Sequence, residues 1–309
     1  MERVGLASAA RELSALPVLV ADRLGYLADE DLRVEFRGSD GGPAAAEAVA
    51  AGDVEFGLGG LWRVLAYRSA GVAALTVIGQ AISRCFACLV TAEPIAELTR
   101  EHLRGRRILV PWGSPSAPAI LAGLSEEDDP VRLVSGCDAG EAATLFASGH
   151  VDSVLLNPLA AHELVAAGHG HVARSLAGLA GPIPYGVFYV RPALIDDPAA
   201  RPARFLRAVQ RARHWLTTHD DLAHDGTLRN VLADFLATAD VEPAQLAVAD
   251  LATAGAWAER IALPADTQER LQRMLVRHGI LDAPLALSAY YDESAALSRR
   301  TPRPRARPR

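Results

Sequence analysis

Apolar positions along this chain switch repeatedly between a period of two and a period of about 3.6, which predicts alternating strands and helices. Val4–Ala7 reads as a short strand, and Ser8–Ser14 as a polar turn. Ala15–Leu27 reads as a helix that is apolar nearly all round, through Leu16, Val18, Leu19, Val20 and Leu24, with Pro17 tolerated in its first turn. Leu32–Phe36 alternates as a strand with Arg33 and Glu35 on one face. Gly38–Pro43 is a turn that opens the small-residue helix Pro43–Ala51. A Gly stop, a short buried strand and a glycine-rich exit follow, in the run Gly52-Asp53-Val54-Glu55-Phe56-Gly57-Leu58-Gly59-Gly60. Leu61–Ser69 is helical, and Ala74–Ile82 is again rich in strand formers.

The same grammar returns later in the chain. The helical run Ala139–Ser148 leads through Gly149-His150-Val151-Asp152 and an apolar strand to Asn157-Pro158, and then to the helix Leu159–Ala167. Two copies of one helix–strand–helix unit predict two similar α/β lobes. In open α/β sheets, ligands sit outside the carboxyl ends of the strands, so Gly59-Gly60 and Asn157-Pro158 are the first candidates for a site. Between the copies, Arg84–Thr91 reads as one strand, Arg106–Pro111 as an apolar strand ending in Trp112-Gly113-Ser114-Pro115-Ser116, and Val131–Ser135 as another. His171–Leu176 and Tyr185–Val190 are predicted strands. After them the chain is helical, through the run Phe205, Leu206, Val209, Ala212, Trp215 and Leu216, then Thr227–Leu236, Pro243–Arg260 and Pro264–His278.

Composition narrows the function. Half the residues are hydrophobic and 22% are charged, as in an ordinary globular protein. The net charge of −6 argues against general nucleic-acid binding. All 31 basic side chains are arginine, which excludes Schiff-base chemistry and a lysine general base. No apolar run approaches the roughly 20 residues that span a bilayer, and no leader pattern opens the sequence. As written, the chain reads as cytoplasmic, or extracytoplasmic if its true start lies upstream. Cys85, Cys88 and Cys137 fit a reducing compartment better than a disulfide framework.

Pro17-Val18-Leu19-Val20-Ala21-Asp22-Arg23-Leu24-Gly25-Tyr26-Leu27 resembles the opening helix of type II periplasmic-binding proteins, in the branch that binds aliphatic sulfonates, nitrate or taurine, and thiamine precursors. Ala51–Gly57, Arg106–Ser114, and Gly149–Asp152 with Asn157-Pro158 resemble further signatures of that branch, in the same order, across roughly residues 4–290. The resemblance implies an α/β, two-lobed fold with two crossover hinge strands, Arg84–Cys88 and Tyr185–Val190, and C-terminal helices. It implies a first lobe built from residues 1–84 plus 189–290, a second from residues 85–188, and a basic Pro/Arg tail over residues 291–309 that builds no core. The same fold also serves cytoplasmic enzymes: thiamine-pyrimidine synthase, an aromatic sulfinate desulfinase and a chorismate dehydratase. The desulfinase-like cysteine would fall in Ser14-Ala15-Leu16-Pro17, which has no thiol, and its arginine before the paired glycines is Leu58 here. The synthase signatures would fall on Pro182–Gly186 and Leu61–Arg63, where neither is present.

Cys85-Phe86-Ala87-Cys88 is the one run that invites a redox or metal reading. On a strand, however, positions three apart face opposite ways, and no second ligand pair has zinc spacing. His150, His162, His169 and His171 read as surface or capping residues. Binding chemistry is better supported. Gly113-Ser114-Pro115-Ser116 ends a strand and opens a helix, where free N–H groups favour an anion; the alternative is a plain N-cap. Ser39-Asp40-Gly41-Gly42 is a comparable turn in the first lobe. Ser8, Arg11 and Glu12 follow the first strand, with Arg11 suited to an anion and Glu12 to a cation or hydroxyl. Trp62, Trp112 and Tyr185 supply flat walls or core, and Arg84, Gly59, Gly60 and Asn157 complete the candidate ligand set. The function this implies is the binding of a small, anionic organic molecule by closure of two lobes, of the ABC-transporter substrate-binding type. A permease is the implied partner, and neither cofactor nor metal is expected. The runner-up is a cytoplasmic enzyme of the same fold, and a third reading is a ligand sensor.

Overall fold

The computed structural model describes residues 1–9, 12–39, 41–95, 99, 101–111, 117, 131–177, 181–197, 199–257 and 260–297. Two five-stranded sheets form the frame. The first contains β1 (Glu2–Ala9), β2 (Leu32–Ser39), β3 (Phe56–Gly60), β4 (Thr76–Arg84) and β10 (Pro182–Val190), in the order β2-β1-β3-β10-β4. The second contains β5 (Cys88–Thr91), β6 (Arg107–Leu109), β7 (Arg132–Val134), β8 (Ser153–Leu156) and β9 (His171–Ser175), in the order β7-β6-β8-β5-β9. Both follow one plan. Three parallel strands are joined by a fourth running antiparallel, β10 or β5, and a fifth completes the edge.

The repeated sequence unit occupies matching places. In the first sheet, helix α3 (Gly41–Ala51) leads through β3 into α4 (Leu61–Ser69). In the second, α5 (Ala139–Ala147) leads through β8 into α6 (Pro158–Ala166). Both stops are left-handed glycines, Gly52 at φ 89° and Gly149 at φ 75°, conformations a Cβ disfavours. The second unit is also locally capped. Asp138 and Glu141 form a reciprocal capping box, and the Asn157 carboxamide oxygen accepts from the Ala160 N–H at 3.0 Å with Pro158 beginning the helix.

The expected helix Ala15–Leu27 is divided. Leu13–Ala15 is a 3-10 turn, α1 covers Leu16–Arg23, and after Leu24-Gly25 a single turn, α2, covers Tyr26–Asp29. The break lets both pieces pack against the long helix α7 (Arg201–Thr218). Phe205 of α7 stacks on Phe56 at 4.4 Å and meets Phe188 edge-on at 5.2 Å, joining the helix to β3 and β10. Along its outer side Arg204 pairs with Glu2, Arg207 with Glu30, and Arg211 with Asp29.

The expected single strand Arg84–Thr91 is also divided. β4 ends at Arg84 and β5 starts at Cys88, with residues 85–87 passing between the two ladders. Leaving one sheet for another breaks the hydrogen-bond register, so one continuous strand cannot serve both. The return crossing lies between Ser175 and Pro182, ahead of the expected Tyr185–Val190, because β10 is already paired with β3 and β4 along its length. The outer edge of β4 is covered by C-terminal backbone. Gln80 donates from its backbone to Ile261 O at 2.7 Å and from its side chain to Arg260 O and Ala262 O, and Ser83 N donates to Ala256 O at 2.7 Å. This removes an exposed edge.

Helices α8 (Gly226–Leu236), α9 (Glu242–Thr253) and α10 (Ala265–Arg277) follow. Helix α9 lies against α6, where His162 Nε2 and Asp250 Oδ2 are 2.9 Å apart, so a C-terminal helix grips the second sheet's layer. Among the described residues no helix is long and apolar enough to cross a membrane. The Pro/Arg tail beyond Leu297 lies outside the described residues.

Candidate functional site

The carboxyl ends of β3 and β8 open onto one cavity of about 550 Å³ between the sheets. Gly59, Gly60 and Trp62 line it from the first sheet's unit, and Leu155, Leu156 and Asn157 from the second. The expected positions Glu12 and Tyr185 also lie in its wall. The Asn157 carboxamide oxygen is committed to the helix cap, which leaves its NH2 group as a donor. Tyr185 is buried and meets Phe86 edge-on at 5.0 Å, and these two rings form an apolar flank.

Other expected positions are not in the wall. Ser8 is fully buried, and its hydroxyl donates to Ala9 O at 3.0 Å, so it serves the strand end. Ser39 ends β2 beside the cavity without lining it, although Gly41 and Gly42 do. Arg84 is committed to the crossover, where its Nη1 donates to Ala177 O at 3.2 Å and ties the two crossings together. Arg11, Asp40, Trp112, Gly113, Ser114 and Ser116 lie outside the described residues. Val110 and Pro111 before the Trp112–Ser116 run, and Ala117 after it, do line the cavity.

The most informative wall residue is one that no sequence motif marks. Arg63 is the third residue of α4, which starts directly at the glycine exit of β3. Its guanidinium carbon lies 4.3 Å from the centre of the Trp62 ring and 5.9 Å from that of Tyr67. A Cβ built on Gly42 would stand 2.9 Å from its Nε, so the start of α3 closes in on the same cation. No carboxylate reaches ion-pair distance of Arg63 among the described residues. A guanidinium held by rings and backbone rather than by an acid keeps its donors for something else. The available signal was position. Helix α4 begins at the strand end expected to face ligand, so Arg63 was as eligible as Trp62.

Ser14 is buried in the wall, and its hydroxyl donates to Glu12 Oε2 at 3.2 Å. Burial raises the Glu12 carboxyl above its usual range, against lesser opposition from Ser14 and the Arg63 charge. Behind them the Tyr189 ring packs over Gly57, 2.1 Å from where a Gly57 Cβ would be. Its buried hydroxyl has no partner among the described residues.

Neither crossover thiol is poised to react. Burial pushes Cys85 up to about 12, and burial with the nearby Asp250 charge raises Cys88 as well. The two are not on one strand as expected, yet both are buried. Among the described residues no three His, Cys, Asp or Glu side chains gather into a metal site. A thiol reagent should therefore leave Cys85 and Cys88 unmodified in the native protein and label them only on unfolding. Rapid native-state labelling of either, read by mass spectrometry, would contradict this.

The chain matches the family described as "NMT1/THI5 like" over residues 13–223. It belongs to the NMT1/THI5-like family. A relative in Bacillus subtilis (strain 168), named "Putative binding protein YtlA", is 21% identical over 225 residues, which cover 71% of this chain and 67% of its own. The alkanesulfonate-binding protein SsuA from Xanthomonas axonopodis pv. citri, bound to MOPS, superposes with a TM-score of 0.67 at 20% identity, over 94% of this chain and 98% of its own. The desulfurization enzyme DSZB superposes with a TM-score of 0.65 at 17% identity, over 96% and 98%. At these identities the solved structures establish the fold, which this NMT1/THI5-like chain shares along nearly its whole length. That fold is the two-lobed periplasmic-binding-protein architecture.

Proposed function

We propose that this protein is a substrate-binding component of an ABC-type importer, and that it closes two lobes on a small organic anion with an apolar body. The observation that carries the reading is Arg63, a ring-clamped guanidinium in the cavity wall with no carboxylate partner among the described residues. The apolar flank of Phe86, Tyr185 and Leu156 suits a hydrocarbon or aromatic body. The relative bound to MOPS is named for alkanesulfonates, and a sulfonate is an anion of the required kind. The lobes would follow the two sheets, hinged where the chain crosses at residues 85–87 and between Ser175 and Pro182; the expected break at 188/189 moves ahead of β10, because Pro182–Val190 pairs with β3 and β4 of the first sheet. The Gly113–Ser116 turn and Arg11 remain proposed contacts, supported by the cavity-lining residues that flank the turn.

An enzyme on this fold, as in DSZB, would need a nucleophile or acid–base pair. The described thiols do not offer one, so binding is the better-supported activity. Ligand bound only to the native, closed form stabilises by about 2.7 kcal/mol at a hundred times Kd. Benzenesulfonate and short alkanesulfonates should therefore raise Tm by several degrees, while the matching alcohols and amines should not. Stabilisation by amines alone, with sulfonates and carboxylates inert, would overturn the anion reading. A transport role predicts that deleting the protein removes uptake of the stabilising ligand by cells.

A further inference from the structure

Glu12 stands at the entrance to the 3-10 turn Leu13–Ala15, in the same cavity wall as Ser14 and Arg63. Its described neighbours can be named from each element. Ser14 bonds one carboxyl oxygen, Oε2. Arg63 of α4 acts on it as a positive charge from beyond ion-pair distance. Tyr189 of β10 is close enough for their charges to interact, and its phenol is itself raised by burial. The centre of the Tyr67 ring of α4 lies 5.9 Å from the Arg63 guanidinium carbon. Arg11 and Asp40 lie outside the described residues. No cation compensates Glu12 directly among these groups, and an unpaired carboxylate in an apolar wall costs several kcal/mol.

An anion seated on Arg63 sharpens the conflict. With Glu12 ionised, two negative charges would share one guanidinium in a low-dielectric cleft. With Glu12 neutral, the oxygen not used by Ser14 can carry an O–H donor in the same cavity wall as Arg63. Resting on the anion reading above, we propose that this site binds a permanently ionised organic monoanion of the sulfonate class together with one proton. The Arg63 guanidinium and the Glu12 carboxylic acid both donate to the bound anion's oxygens. Glu12 is then the residue that makes anion binding depend on pH, because its donor is lost when the carboxyl ionises at high pH.

The sign of the pH dependence follows from linkage. In the free protein the Glu12 pKa is already raised by burial, and a bound anion raises it further. Affinity is therefore greatest below the free-state pKa. It falls by up to about tenfold per pH unit as pH rises between the free and bound values, and then levels off. Benzenesulfonate suits the test because it stays a monoanion throughout this range, so any slope belongs to the protein.

Isothermal titration of the full chain with benzenesulfonate, in paired buffers of different ionisation enthalpy, counts the protons taken up. The expected result is uptake approaching one proton in the sloping region. Glu12→Gln should bind without pH dependence and without proton uptake, since an amide donates at any pH. Wild-type binding without proton uptake, or a slope that survives in Glu12→Gln, overturns the proposal while leaving the Arg63 reading intact. So does preference for ammonium-bearing sulfonates bound without proton uptake, which would make Glu12 an ionised cation contact. Unchanged affinity in Arg63→Ala, or no benzenesulfonate binding by the wild type, overturns the underlying reading instead. If Glu12→Gln does not fold, the wild-type proton count alone decides.

Discussion

Arg63→Ala should remove organic-anion binding while leaving the fold intact. Arg63 sits on the first turn of α4, half-buried, with its guanidinium carbon 4.3 Å from the Trp62 ring centre and 5.9 Å from that of Tyr67, and with Gly42 close to its Nε. The clamp fixes the planar group before ligand arrives, so little rotamer entropy is lost on binding. Truncating one partner of a buried, charge-assisted pair costs on the order of 2–5 kcal/mol, roughly 30- to 5,000-fold in Kd. Stability should change far less, because the attraction between the guanidinium and the two rings is worth only about 0.5–1 kcal/mol at a partly exposed site. Arg63→Lys should fall between, since it keeps the charge and loses the planar stack. Calorimetric titration with benzenesulfonate, beside thermal unfolding of each variant, separates the two effects. Equal affinity in Arg63→Ala and wild type would move the anion seat elsewhere, with the Gly113–Ser116 turn and Arg11 as the next candidates.

Gly57→Val should be among the most destabilising single changes in the first sheet. The Tyr189 ring lies directly over Gly57, its cross-strand partner in β3. An added Cβ would stand 2.1 Å from Tyr189 Cε2 and 2.4 Å from Cζ, well inside contact distance. The ring is 1% exposed and cannot swing into solvent. Opposite it across the sheet, Phe205 stacks on Phe56 and meets Phe188 edge-on, all three fully buried, so the strand cannot retreat that way. Overpacking of this kind costs about 1–3 kcal/mol, occasionally more, and a collision with a trapped ring belongs at the upper end. A loss of about 3 kcal/mol corresponds to a fall in Tm of about 5 °C for a chain of this size. Tyr189→Phe in the same assay should be neutral or stabilising, because the hydroxyl it removes has no partner among the described residues. A Gly57→Val protein that melts with the wild type would mean that the ring does not occupy this place.

The Glu12–Ser14–Arg63 group explains why the site was only partly legible. Gly59, Gly60, Trp62 and Asn157 could be placed at a cleft because each sits at the end of a predicted strand or the start of a helix, Glu12 because it lies in the turn after the first strand, and Tyr185 as a flat wall. Ser8, which follows the first strand, and Arg84, which opens the crossover, were expected there too and do not line the cavity. Whether a residue at a strand end faces the cleft or its own scaffold depends on side-chain direction. For Ser8 and Arg84 the partners that decided it were the Ala9 and Ala177 carbonyls. Arg63 had no motif of its own; its importance comes from Trp62, Tyr67 and Gly42 converging on it.

By itself the sequence determined the features that arise within one or two turns of chain. These are the repeated helix–strand–helix unit, the left-handed stops at Gly52 and Gly149, the caps at Asp138 and Asn157, and the glycine exit of β3. Local backbone sterics and adjacent hydrogen bonds decide such features, so their cause and their effect sit together in the sequence. Tertiary structure alone decided how β10 inserts between β3 and β4 and β5 between β8 and β9, and why residues 85–87 leave the ladder. It also decided that Gly57 is a seat for Tyr189 and that Glu12 shares a wall with Arg63. Those pairings join segments far apart in the chain. They are selected by the fit of buried surfaces and by the cost of burying an unpaired charge, neither of which local periodicity records.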